Sequence, residues 1–119
     1  MLYKLTAMNE SADPSLDLAF AALADPTRRA ILRQLAGGEA NVADIASRFP
    51  ISQPAISRHL RLLEQAGLIE TARHGQQRPR RLRAEGLDRA QRYLAEMARY
   101  WPDRLDALAE FLDQTKDQP

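Results

Sequence analysis

Gln53, Ser57, Arg58 and Arg61 stand in the segment "SQPAISRHLRLLEQAGLIE", residues 52–70. At 100° per residue, Ile56, Leu60, Leu63 and Gly67 fall in one narrow sector of a helix. Pro54, Ser57, Arg58 and Arg61 project from the opposite half, with Gln53 at the exposed first turn. An ordinary solvated face would mix Glu with Lys. This set instead offers groups that read or hold a nucleic acid: Gln53 can pair with a base edge, small Ser57 permits close approach to a groove, and Arg58 and Arg61 reach guanine edges or phosphates. Ser52, the natural N-cap, and His59, at the margin of the buried stripe, complete the candidate contact set. A second group follows in "TARHGQQRPRRLRA", where Arg73, Arg78, Arg80 and Arg81 flank a polar turn at Gly75. There they can lie along a phosphate backbone or enter a minor groove. Catalysis is not supported. Ser57 and His59 are two residues apart on one helix and diverge, so they form no nucleophile–base pair, and no Gly-rich phosphate loop is present.

Charge agrees with this placement. The chain carries a net charge of only +1, yet between Arg48 and Arg83 eight arginines face Glu64 and Glu70, a window of +6 against −5 elsewhere. Phosphate attraction follows local charge. With no cysteine there is neither a disulfide framework nor a thiolate metal site. No apolar run approaches the roughly 20 residues of a membrane span, and the N-terminus lacks the long apolar stretch of a secretory signal. A soluble cytoplasmic protein is expected. At 119 residues, 45% of them apolar, the chain has one modest core and would gain from pairing with a second copy.

Elements must now position these side chains. Residues 1–12 show no sustained periodicity and are expected to be mobile, with Met8 a second candidate start. Asp13-Pro14 and Asp25-Pro26 each place an N-cap before a proline at the first helical position. The first helix carries Leu16, Phe20 and Leu23; the second carries Ile31, Leu32 and Leu35 and stops at Gly37-Gly38. On the second helix Arg28 shares a side with Ile31 and Leu32, which favours a structural arginine held by a carboxylate over one reaching a phosphate. Asn41 and Asp44 resemble a capping box for a short third helix whose Val42, Ile45 and Ala46 face inward. After "FPIS", Ser52 caps the fourth helix, Pro54 is tolerated in its first turn, and Gly67 ends it. Two extended arms, Leu68 to Arg73 and Arg78 to Arg83, then form a hairpin whose second arm is limited to an edge position by Pro79. A helix-turn-helix followed by an Arg-rich hairpin is the order of a winged helix. The expected fold is mainly α with a small β-hairpin wing, spanning residues 13–113, followed by a mobile tail at 114–119.

From Leu87 onward apolar residues recur at 87, 90, 94, 97 and 101, then at 105, 108 and 112. That three-four spacing makes a seam that packs on another helix. Two four-residue steps meet around Trp101, beside Pro102, where a kink or a break is expected. Leu94, Met97, Trp101, Leu105, Leu108 and Leu112, with Leu16 and Phe20, form the candidate dimer interface.

Together, "LADPTRRAILRQL", "SQPAISRHLRLLEQAGLI" and the basic wing, in this order and at these distances, resemble the ArsR/SmtB-type winged-helix transcriptional repressors across residues 16 to about 112. The closing "YWPDRLDALAEFL" is similar to a branch of that family whose last helix carries a Trp and then an Arg-Leu-Asp-x-Leu pattern; Pro102 departs from a continuous helix. The resemblance implies a homodimer joined through the first and last helices. It also implies binding to double-stranded operator DNA of dyad symmetry, at the protein's own or a neighbouring promoter. Metal sensing is well known in that family, but its thiolate positions in the third helix correspond here to Asn41 and Ala43, and no His follows Leu87. The expectation is a regulator without cofactor or metal at those sites. What would release it, an inducer or a partner protein, is left open. The competing reading is a winged-helix module for protein contact, which would need an apolar or acidic patch on the fourth helix.

Overall fold

A computed structural model describes residues 14–116. Its elements are α1 (Pro14–Leu23), α2 (Pro26–Ala36), α3 (Val42–Ala46), α4 (Gln53–Gln65), β1 (Ile69–Thr71), β2 (Arg80–Leu82) and α5 (Ala84–Lys116). This is a mainly helical chain with one antiparallel hairpin, in the winged helix-turn-helix order that the sequence pattern predicts. Residues 1–12, Asp13 and residues 117–119, on which a mobile segment, a cap and part of a tail were expected, lie outside the described residues. Helix α5 runs three residues into the expected tail.

The core closes where the apolar periods meet. Ile31 and Leu35 of α2, Ile45 of α3, and Ile56, Leu60 and Leu63 of α4 bury together with Leu68 and Ile69, and Val42, Ala46 and Phe49 pack against them. In helix α1 the buried residues are Ala19 and Ala22. Leu16 and Phe20 are half-buried, and the Phe20 ring meets Tyr93 of α5 edge-on at 5.6 Å.

Local chemistry sets the ends of the elements. The Asp25 carboxylate accepts from Arg28 N at 3.0 Å, capping α2. That backbone N–H, aided by the Arg28 guanidinium and opposed by partial burial, holds the Asp25 carboxyl below the usual aspartate range. Asp25→Ala should therefore lower stability by about 1 kcal/mol near neutral pH. Because the folded-state value is depressed, this contribution is complete above the unfolded aspartate pKa of about 3.9 and fades as pH falls through the lower folded value. Urea unfolding of both proteins from pH 7 to pH 3 tests this; equal midpoints at pH 7 would refute the cap's contribution. Asn41, by contrast, occupies the cap of α3 without a side-chain cap bond, so the expected capping box does not form.

Helix α4 ends in a Schellman turn. Gly67 takes φ +74°, its N–H donates to Glu64 O at 3.0 Å, and Leu68 N donates to Leu63 O at 3.0 Å. Leu63 and Leu68, the apolar pair of that motif, are fully buried. The Gly67 carbonyl then accepts from Gly86 N at 2.9 Å, satisfying a first-turn N–H of α5. The end of α4 thereby sets the start of α5.

Strands β1 and β2 pair Ile69 with Leu82, Glu70 with Arg81 and Thr71 with Arg80, a shorter ladder than the expected arms. Pro79 was expected to confine the second arm to an edge. β2 is indeed an edge of the two-stranded sheet, and one isolated bridge to Ala40 lies on its free side, Arg80 N donating to Ala40 O at 2.8 Å and Ala40 N to Arg80 O at 3.0 Å. Pro79 is tolerated because it lies one residue before β2, where its carbonyl still accepts from Ala72 N at 2.8 Å.

Of the kink or break expected at Pro102, the break does not occur: Pro102 lies inside a continuous helix α5. The carbonyl that loses its donor belongs to Ala98, an exposed residue that water can satisfy. At 33 residues α5 is about 50 Å long. The radius of gyration is 19.9 Å, against about 13 to 14 Å for a compact domain of this length. The far half of α5 therefore projects from the core.

Candidate nucleic-acid interface

Helices α3 and α4 pack on each other across the turn at residues 47–52. Ser52 fixes the start of α4, its Oγ accepting from Ala55 N at 3.2 Å, with Pro54 inside the first turn. Because Ile56, Leu60 and Leu63 are drawn into the core, Gln53, Pro54, Arg58 and Arg61 are left exposed and Ser57 half-exposed between them. Arg58 and Arg61 have no hydrogen bond or ion pair among the described residues. Their charge is free to meet an external anion.

The wing arginines are not equivalent. Arg73 is exposed and partnerless among the described residues. Arg78 folds back, donating from NH1 to Gly75 O at 2.7 Å and Gln77 O at 2.8 Å, and so stiffens the turn. Arg81 pairs across the ladder with Glu70 at 3.2 Å. Arg80 is drawn into the base of the wing: its NH1 donates to Arg78 O, its Nε is enclosed without a partner among the described residues, and it lines a depression of about 160 Å³ with Ser57, Leu60, Arg61 and Glu64. Glu64 is occupied by the Thr71 hydroxyl at 2.8 Å. The wing tip is tethered as well, since His74 Nε2 meets Glu39 Oε1 at 2.7 Å.

His59 stands apart from the outward row. Its Nδ1 accepts from Arg28 NH1 at 3.2 Å and lies 4.0 Å from Asp25 Oδ2. Arg28 has the structural role favoured from its position, but its hydrogen bonds run to carbonyls rather than to a carboxylate. Nε donates to Ala22 O at 2.8 Å and NH2 to Ala21 O at 3.1 Å. Arg29 adds a bond to Leu23 O at 2.8 Å. Helix α1 has no glycine to close it, and these two guanidiniums take up its last carbonyls and meet the negative end of its dipole.

The structure thus brings Gln53, Ser57, Arg58 and Arg61 onto one face and sets the wing beside it. On α5, Leu94, Trp101, Leu108 and Leu112 are exposed, Trp101 by 57%, whereas Met97 is half-buried; the side chain of Leu105 lies outside the described set. Sequence reading missed Arg29, the Ala40 bridge, the Glu39 tether and Gly86. Only Gly86 left a signal, as a glycine in a helical first turn with no capping reason to be there.

No helix among the described residues is long and apolar enough to cross a membrane. Residues 25–71 match the family model described as bacterial regulatory protein, arsR family. The HTH-type transcriptional regulator Rv2034 of Mycobacterium tuberculosis is 37% identical over 103 residues, 87% of this chain and 94% of the relative. The transcriptional repressor SdpR of Bacillus subtilis is 53% identical over 57 residues, 48% of this chain and 63% of that protein. Among solved structures, the homodimeric winged helix-turn-helix DNA-binding domain of Mb0332 from Mycobacterium bovis superposes with a TM-score of 0.55 at 27% identity, covering 76% of this chain and 82% of the other. A relative matched over nearly its whole length, a family model lying on α2 to β1 and the wing geometry agree, and the chain belongs to the ArsR family of bacterial transcriptional regulators, which are not enzymes.

Proposed function

We propose that the protein is a homodimeric repressor that binds an operator of dyad symmetry at its own or a neighbouring promoter. The observation that carries this reading is the outward row of α4, where Ser57, Arg58 and Arg61 are presented and neither arginine has a partner among the described residues. Two such helices would enter successive major grooves on one face of the duplex, with half-site centres about 34 to 36 Å apart. Repression follows from occlusion of polymerase. Homodimerisation is supported by the exposed apolar stripe of α5 and by the homodimeric state of the Mycobacterium bovis relative. Metal control at thiolate sites is not part of the proposal, since the chain has no cysteine.

The test is binding to the protein's own upstream DNA beside a scrambled duplex, titrated at two salt concentrations. Preference for the upstream DNA on a salt-sensitive background is expected; equal binding to both would remove the own-promoter assignment, and no binding to either would favour protein contact. Two variants sort the contacts. Arg58→Ala should weaken binding to the preferred sequence by about 1 to 3 kcal/mol while leaving random DNA little changed. Arg73→Ala should weaken both equally and flatten the salt slope by about one unit. Equal losses on both duplexes for Arg58→Ala would remove its base-reading role.

A further inference from the structure

Arg28 and His59 join two parts of the molecule that the α4 face alone does not explain. The Arg28 guanidinium is anchored by the carbonyls of Ala21 and Ala22 at the end of α1, and its NH1 lies 3.2 Å from His59 Nδ1 on α4. A guanidinium has only donors, so the Nδ1 that faces it accepts. In a neutral imidazole the proton then resides on Nε2. Nδ1 and Nε2 point away from each other across the ring. The His59 side chain is 20% exposed. It lines a surface depression of about 340 Å³ with Ser52, Pro54, Ala55 and Arg58, on the side of α4 that leads from the outward row toward the α1–α2 junction. Arg58, in that depression, has no partner among the described residues.

We infer that His59 is a neutral donor to the DNA backbone and that Arg28 is its positioning residue: held by the end of α1, Arg28 fixes His59 so that Nε2–H faces the depression beside Arg58 and donates to a phosphate oxygen. The inference rests on the DNA-binding reading of α4. It separates His59 from the arginines around it. A cation that meets a phosphate displaces condensed counterions and steepens the salt dependence, whereas a neutral N–H adds a hydrogen bond to a charged acceptor with little counterion release. His59 therefore contributes affinity that neither reads sequence nor answers to salt.

Two isosteric replacements test this. Glutamine keeps a donor near the place of Nε2, while asparagine keeps only a group near Nδ1. His59→Asn should lose about tenfold in affinity on upstream and scrambled DNA alike, with the salt slope unchanged, and His59→Gln should recover most of that loss. Nitrogen-15 NMR of the ring in the wild-type protein should show the Nε2–H tautomer. In Arg28→Met, checked for folding by circular dichroism, that preference should relax and affinity should fall as in His59→Asn. Wild-type affinity in His59→Asn, a flattened salt slope, a loss confined to the preferred sequence, failure of glutamine to rescue, or a wild-type Nδ1–H tautomer would each overturn the inference. Wild-type protein and Arg58→Ala are titrated alongside. If the wild type binds and Arg58→Ala behaves as a base-reading variant, a negative His59 result sinks only this inference; if the wild type binds neither duplex, the DNA reading fails and this inference falls with it.

Discussion

Leu108→Glu combined with Leu112→Glu is expected to give a folded monomer whose affinity for two-half-site DNA is 10²- to 10⁴-fold lower, the range lost when two linked sites can no longer engage together. Both leucines lie on the projecting half of α5, exposed by 52% and 55%, beyond the α1–α5 contact and outside the buried core. The substitutions therefore leave the core residues in place. Burying a leucine of this kind stabilises by about 1.5 to 3 kcal/mol, and a carboxylate buried there without a partner would reverse that gain. Across a two-fold interface each substitution acts twice. Sedimentation of the variant should show half the wild-type mass, with unchanged helicity by circular dichroism. A variant that stays dimeric and keeps its DNA affinity would show that the proposed interface does not use this stripe.

Gly86→Ala is the second large expected effect, and its sign is the informative part. Within a helix, alanine is favoured over glycine by about 1 kcal/mol, so local propensity predicts a more stable protein. The tertiary structure predicts the reverse. A Cβ at Gly86 would stand 2.6 Å from Gly67 O, 2.7 Å from Ala66 O and 2.7 Å from Gly67 C, all backbone atoms of the turn that ends α4. None of these can rotate away as a side chain would. Either the Gly86–Gly67 hydrogen bond breaks or α5 moves bodily. A loss of about 3 kcal/mol is expected from such overpacking, a large fraction of the 5 to 15 kcal/mol that holds a typical domain together. Urea unfolding reads it directly; a gain in midpoint would mean that the close approach of α5 to the turn is not needed for the fold.

These three residues also show what could be read from the sequence. The stripe containing Leu108 and Leu112 was legible as a helix seam because its period is a property of neighbouring residues and needs no knowledge of the partner. Gly86 was not, because its requirement comes from Gly67, nineteen positions away. The same division runs through the interface. Polar Gln53, Ser57, Arg58 and Arg61 opposite apolar Ile56, Leu60 and Leu63 fixed which face of α4 turns outward, since a single buried stripe leaves the helix no rotational choice. The arginines of the wing looked alike as letters. Only the fold drew Arg80 into the base of the hairpin, paired Arg81 with Glu70 and left Arg73 open.

Periodicity and capping residues thus determined the order of the helices, the outward face of α4, the basic character of the middle of the chain and the apolar excess of the last helix. Tertiary structure decided the rest: that Ala40 flanks β2, that α5 passes through Pro102 unbroken, that Arg28 closes α1 and orients His59. The reason is the range of the interactions. Burial periods and caps act within one or two helical turns and leave their mark in adjacent letters, whereas a guanidinium's choice among carbonyls, a carboxylate and an imidazole depends on which groups the packed elements bring within about 3 Å of it.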